Sequence, residues 1–209
     1  MIKLIKKIKR IPKAIVHRGK ILLEKMRGLD FTQHHMVDEL GFSDDMAKAY
    51  APSPIEDLKM ILSELDIQPT DAILDYGSGK GFAMVIMNNF NFNFVGGVEL
   101  SKRLTKICRT NFSKLGIKNV GVFQCNAIEF KEIDRFNYFY LFNPFPEIVL
   151  KAVLQNIQES IEKHPRKIIF IYVCARHREI VSDHPMFEEI REIKGKDWES
   201  VIYSNEFKK

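Results

Sequence analysis

From Pro54 onward, short apolar runs alternate with stretches in which apolar residues recur every three or four positions. Ile55, Leu58, Ile61, Leu62 and Leu65 share one face of a helix that Pro54 opens, predicted over 54–65. Strands are predicted at 72–76, 94–99, 120–125, 138–142 and 167–174, with helices at 81–89, 102–115 and 146–162 between them. Alternation of this kind implies βαβ units and a largely parallel sheet. The tail departs from it: 187–194 and 199–205 both read as strands around Gly195 and Asp197, which predicts a closing antiparallel hairpin. The expected architecture is α/β, a three-layer αβα sandwich on a seven-stranded, mostly parallel sheet with that hairpin at its C-terminal end.

The first 49 residues follow another pattern. Ile2, Ile5, Ile8, Ile15 and Leu22 recur at helical spacing among basic residues, and Pro12 is expected to break or kink the helix. Residues 28–48, with Asp30, Phe31, His34, His35, Asp38 and Asp44, read as connecting turns and short helices. The two histidines lack the H-x-x-x-H spacing of a helical metal site, which favours a surface loop. The chain therefore divides into a basic helical arm with its connecting segment, 1–49, and a body, 50–209.

Charge sharpens that division. Residues 1–27 carry seven Lys and three Arg against Glu24, and the whole chain is +5, which leaves the remainder at −4. Such an arm suits an acidic membrane surface or nucleic acid, or packs its apolar stripe on the body or a partner subunit. At 45% hydrophobic and 28% charged residues the composition is that of a soluble globular protein, and no apolar run approaches the roughly 20 residues that cross a bilayer. Cys108, Cys125 and Cys174 lie far apart without a C-x-x-C pair, which points to reduced thiols and away from zinc. Lysines interrupt the apolar character of the first residues, so no secretory signal forms, and a cytoplasmic location is expected, membrane-peripheral if the arm meets lipid.

The strongest local signal is Ala72-Ile-Leu-Asp-Tyr-Gly-Ser-Gly-Lys-Gly81, an apolar strand that runs into glycines opening a helix. Glycines there permit a tight turn and bring backbone N–H groups against a ligand. A phosphate-binding P-loop requires G-K-[ST], but Gly81 follows Lys80; a dinucleotide fingerprint requires G-x-G-x-x-G, but Phe82 stands where its third glycine belongs. The remaining pattern, D-x-G-x-G-x-G, resembles the first motif of the S-adenosylmethionine-dependent methyltransferases.

Neighbouring motifs extend the resemblance. Glu99 ends the second strand, where a carboxylate accepts from both ribose hydroxyls. Cys125-Asn126-Ala127 is similar to the family's adenine-side motif, with Asn126 in place of a commoner Asp; its side-chain oxygen can accept from the adenine amino group. Asn143-Pro144-Phe145 resembles the Asp/Asn-Pro-Pro-aromatic turn of the family's amine-modifying members, with Phe145 at the second proline. Tyr50-Ala-Pro-Ser-Pro54 and Ile171-Tyr-Val-Cys-Ala-Arg-His-Arg178 are similar to segments of a group of mostly uncharacterised bacterial methyltransferases, and the likeness to related groups, whose tyrosine-proline segment covers the methionine end of the cofactor, implies that role for Tyr50.

The resemblance implies a Rossmann-like fold and S-adenosyl-L-methionine as cofactor, held by Tyr50, Asp75, Gly77, Ser78, Gly79, Gly81, Glu99, Leu100, Asn126, Ala127 and Asn143. Asn143, Pro144 and Phe145 would face the methyl acceptor, an unidentified protein amine or small metabolite favoured over nucleic acid. The crevice is expected between the first and fourth strands, where the chain reverses direction. His177 reads as a capping or surface residue rather than a base, and Phe139, Phe142, Phe170 and Tyr172 as sheet core. Two alternatives remain: a catalytically silent cofactor-binding module that recruits nucleic acid or membrane through the arm, and a nicotinamide-dependent oxidoreductase, which the glycine spacing disfavours.

Overall fold

The computed structural model describes residues 13–36, 50–196 and 198–206. The expectations for Ile2, Ile5, Ile8, Pro12, Asp38 and Asp44 lie outside these residues.

Helix α1 (Lys13–Met26) precedes the body, and α2 (Ile55–Ser63) leads into strand β1 (Ala72–Tyr76). There follow α3 (Phe82–Met87), β2 (Phe94–Glu99), α4 (Lys102–Leu115) and β3 (Val120–Gln124). Then come two one-turn helices, β4 (Tyr138–Phe142), α5 (Glu147–Lys163) and β5 (Ile169–Val173). The short α6 (Arg178–Ser182) precedes β6 (Glu188–Lys194) and β7 (Glu199–Ser204). The one-turn helices and α6 have no counterpart in the sequence expectations; their few residues carry no period.

The seven strands form one sheet in the order β3-β2-β1-β4-β5-β7-β6. β1 to β5 run parallel, and β7 runs antiparallel to both β5 and β6. The C-terminal hairpin forms as expected, and its second strand is the one inserted against β5. That order follows from sequence: β7 buries Ser200 through Ser204, whereas β6 exposes all but Ile193 and presents a charged outer edge.

Both sheet faces are covered. Leu74, Tyr76, Phe139, Leu141 and Phe170 pack beneath Val153, Leu154 and Ile157 of α5. On the opposite face Ile73, Tyr140 and Ile171 pack beneath Leu58, Ile61 and Leu62 of α2, Met84 of α3 and Phe112 of α4. Strands buried on both sides explain the continuous apolar runs of β4 and β5. Phe139, Phe170 and Tyr172 are core as expected. The chain reverses direction between β1 and β4, which opens a crevice at their carboxyl ends.

Candidate active site

At the end of β1 the chain turns through Gly77, Ser78 and Gly79 into α3. The N–H groups of Gly77 and Ser78 donate to the Val98 carbonyl at 2.9 and 3.0 Å, which ties the loop to β2. Gly77 and Gly79 both have positive φ, 79° and 53°. A Cβ at Gly77 would stand 2.5 Å from Pro144 Cβ, and one at Gly79 would overlap the Tyr50 ring. The two glycines thus allow the β4 turn and Tyr50 to close on the loop from either side. Gly79→Ala is expected to displace Tyr50 and to lower affinity for S-adenosylhomocysteine about thirty-fold, read by calorimetry, since αL alanine and the ring clash each cost about 1 kcal/mol.

Around the loop lies a cavity of about 300 Å³. Its wall includes Tyr50, Gly77, Ser78, Glu99, Leu100, Asn126, Ala127, Asn143, Pro144 and Phe145, so most of the residues singled out in the sequence meet there. Asp75, Gly79 and Gly81 stand behind that wall rather than on it. Asp75 is buried inside the sheet, Gly79 faces Tyr50, and Gly81 caps α3 against Cys108 and Phe112.

Glu99 is buried and aimed at the loop. Its Oε2 accepts from Gly79 N at 2.9 Å and its Oε1 from Ser101 N at 2.7 Å. Burial raises its pKa, and the N–H groups of Ser101, Gly79 and Leu100 oppose that rise. Asp75 lacks comparable support: burial first, and the Glu99 charge second, push its carboxyl up to about 8. Ser78 Oγ is buried without a hydrogen-bond partner among the described residues. The Asn126 amide oxygen accepts from Ile128 N at 3.1 Å as the cap of a one-turn helix, which leaves its second lone pair and its NH₂ group to offer a ligand.

The opposite wall is built at the ends of β4 and β5. Asn143 and Cys174 line it, and both are non-glycine residues with positive φ, 42° and 52°. Backbone strain of this kind persists where the surroundings over-determine it. Here the Tyr172 hydroxyl donates to Asn143 Oδ1 at 3.3 Å, and Cys174 N donates to Glu199 O at 2.9 Å. Phe145 turns its edge onto Tyr76, 6.1 Å between centroids, and so belongs to the core as well as to the wall. Phe142, expected in the core, lines the cavity and meets Trp198 edge-on at 6.0 Å. Arg176 brings a cation to the same wall. His177 does not line the cavity; it stands at the start of α6, with Nδ1 3.9 Å from Glu179.

Sequence reasoning missed Arg176, Trp198 and a strap across the loop. Lys80 is fully buried, ion-paired to Asp30, hydrogen-bonded to the Gln33 carbonyl at 2.8 Å, and 5.1 Å from the Tyr50 ring centroid. Burial lowers its pKa, and the Asp30 carboxylate opposes that shift. The Tyr50 hydroxyl donates to Phe31 O at 2.6 Å, Phe31 stacks on Phe82, and Asn111 exchanges two hydrogen bonds with the Asp30 backbone. A lysine among loop glycines, unexplained by any phosphate motif, was the available signal.

Residues 67–209 match a family described as a methyltransferase domain. The chain belongs to this methyltransferase family. It takes its place among the class I enzymes that use S-adenosylmethionine. A ribosomal protein L11 methyltransferase of Caldanaerobacter subterraneus subsp. tengcongensis is 26% identical over 87 residues, 41% of this methyltransferase and 28% of that relative. Among solved structures, an S-adenosylmethionine-dependent methyltransferase from Aquifex aeolicus superposes with a TM-score of 0.58 at 13% identity, over 71% of this chain and 89% of that one. An RNA methyltransferase from Salinibacter ruber, in complex with S-adenosyl-L-homocysteine, gives a TM-score of 0.53 at 18% identity, over 74% and 93%. At these identities the structural likeness concerns the fold, and it agrees with the Rossmann-like sheet described above.

Proposed function

We propose that this methyltransferase binds S-adenosylmethionine between the glycine loop and the β4 turn and methylates an amine on a protein or small molecule. The observation that carries the reading is one cavity with two unlike walls. Glu99, Ser78 and Asn126 offer hydrogen-bonding groups on one side, and the strained Asn143-Pro144-Phe145 turn lies opposite.

The residues suit the cofactor. Glu99 accepts from the ribose hydroxyls, the unpartnered Ser78 hydroxyl and the loop bind polar edges, and the Asn126 NH₂ donates to ring nitrogens of adenine. Asp75, behind the loop, supplies negative potential to the cationic amino-acid end. The sulfonium supplies a methyl group that is already electrophilic, so no nucleophilic side chain is required. The chain's task is alignment and exclusion of water. Tyr172 fixes the Asn143 amide, the amide and the Pro144 carbonyl orient the acceptor amine, and Tyr50, held by Phe31 and Lys80, covers the loop.

The Caldanaerobacter relative is named for methylation of ribosomal protein L11, which supports a protein acceptor. A methyltransferase structure named for RNA supports the competing acceptor, against which stands the net negative body. Labelled cofactor incubated with a lysate, resolved into protein, nucleic-acid and small-molecule fractions, decides between them. Label in nucleic acid alone would sink the amine reading, and no label despite cofactor binding would favour the silent module.

Arg176 is assigned to an anionic group beside the acceptor amine. Arg176→Gln is expected to slow labelling of limiting lysate about ten-fold, the worth of one charge-assisted hydrogen bond, while affinity for S-adenosylhomocysteine stays unchanged. Equal labelling by the variant would remove this role.

A further inference from the structure

The cofactor site leaves α1 unexplained. This helix is fastened to the body along one side. Glu24, the single acidic residue among the first 27, accepts from Phe31 N at 2.9 Å and Thr32 N at 2.8 Å and from the Thr32 hydroxyl. His17, seven positions earlier on the same side, contacts the His34 ring at 5.8 Å. The segment that receives Glu24 is itself fixed, by Lys114 on the Gly28 carbonyl at 2.6 Å and by Asn111 on Asp30.

The other side of the helix is open. Leu22, Leu23 and Met26 are 61%, 58% and 77% exposed, and they form an apolar ridge flanked by exposed Arg18, Lys20, Lys25 and Arg27. The sequence before the helix, MIKLIKKIKRIP, continues the same mixture of branched apolar and basic residues. Glu24 points inward, so among the described side chains of α1 the outward face is cationic and apolar.

We propose that α1 docks the methyltransferase on an anionic lipid surface, with the Leu22, Leu23 and Met26 ridge entering the headgroup boundary and the flanking cations meeting lipid phosphates. Charge complementarity selects the occupant. A second copy would bring two arms of +9 together, which repel. Nucleic acid would engage the cations but leave the leucine and methionine ridge in water. An interfacial bilayer satisfies both halves of the face. No described helix is long and apolar enough to cross a membrane, which fits a helix lying on one. Because Glu24 and Asn111 tie α1 to the glycine-loop side of the fold, docking would hold the body in a fixed orientation at the surface.

The test is co-sedimentation of the full chain with phosphatidylcholine vesicles and with vesicles containing a quarter phosphatidylglycerol. Binding is expected only to the anionic vesicles and is expected to weaken with salt. The triple substitution Leu22→Ser, Leu23→Ser and Met26→Ser changes exposed residues, and it is expected to weaken vesicle binding roughly thirty-fold through lost apolar burial. Arg18→Glu with Lys20→Glu removes two cations and is expected to weaken binding by at least about five-fold for each. Calorimetry with S-adenosylhomocysteine should give the wild-type affinity for both variants and so certify their folding. Absence of vesicle binding at low salt, full binding by the serine variant, or light scattering in which that variant alone turns a dimer into a monomer would each overturn the proposal.

Discussion

Glu99→Ala is expected to lower affinity for S-adenosylhomocysteine about a thousand-fold, with the fold retained. Two losses combine. Hydrogen bonds from both ribose hydroxyls to a carboxylate disappear, each worth about 1.5 to 3 kcal/mol. The Gly79 and Ser101 N–H groups also lose their acceptor, and Gly79 lies in the loop that must keep its shape against Tyr50. Glu99→Gln separates the two effects. It keeps the volume and one acceptor oxygen, but its NH₂ must then face either the Gly79 or the Ser101 N–H, donor against donor, so an intermediate loss is expected. Calorimetry with circular dichroism as the control for folding is the measurement. Wild-type affinity in the alanine variant would exclude Glu99 from the sugar site.

The sequence made the central sheet legible because five strands are apolar enough to be buried on both faces and are separated by helices with a clear stripe. Glu99 was legible for a related reason: a lone acid that ends a buried strand beside a glycine turn has few structural uses. Position in the hairpin was also readable, since Val201-Ile-Tyr203 is continuous and apolar while 188–194 is largely charged. The strap was not. Lys80 and Asp30 are 50 positions apart and Asn111 and Asp30 are 81 apart, and no local period links such pairs. The cap that Asn126 makes on the one-turn helix was not legible either, because sequence gives the amide and not its direction. Trp198 comes to the cavity because β7 is inserted beside β5, which carries the hairpin turn toward Phe142, and Arg176 because it follows the carboxyl end of β5.

Asp75→Asn is expected to stabilise the protein at pH 8 by a few kcal/mol and to leave it unchanged near pH 4. Folding raises the Asp75 pKa from 3.8 to about 8, through burial and then through the Glu99 charge. Between these values the native carboxyl keeps its proton while the unfolded chain has released it. The native state therefore binds more protons, and stability falls as pH rises from about 4 to about 8. Asparagine is neutral throughout and removes that loss, so the two thermal midpoints should converge at low pH and separate as pH rises. The proton rests on Asp75 rather than Glu99 because the Gly79 and Ser101 N–H groups support charge on Glu99. A cationic cofactor reverses the balance, since its ammonium and sulfonium favour ionised Asp75. Binding by the wild-type protein should then release a proton and tighten up to about pH 8, detected by calorimetry in buffers of different ionisation enthalpy. The asparagine variant should bind more weakly and release none. If it were no more stable than wild type at pH 8, or if wild-type binding released no proton, the buried acid would be a packing element and not a reserve of charge for the cofactor.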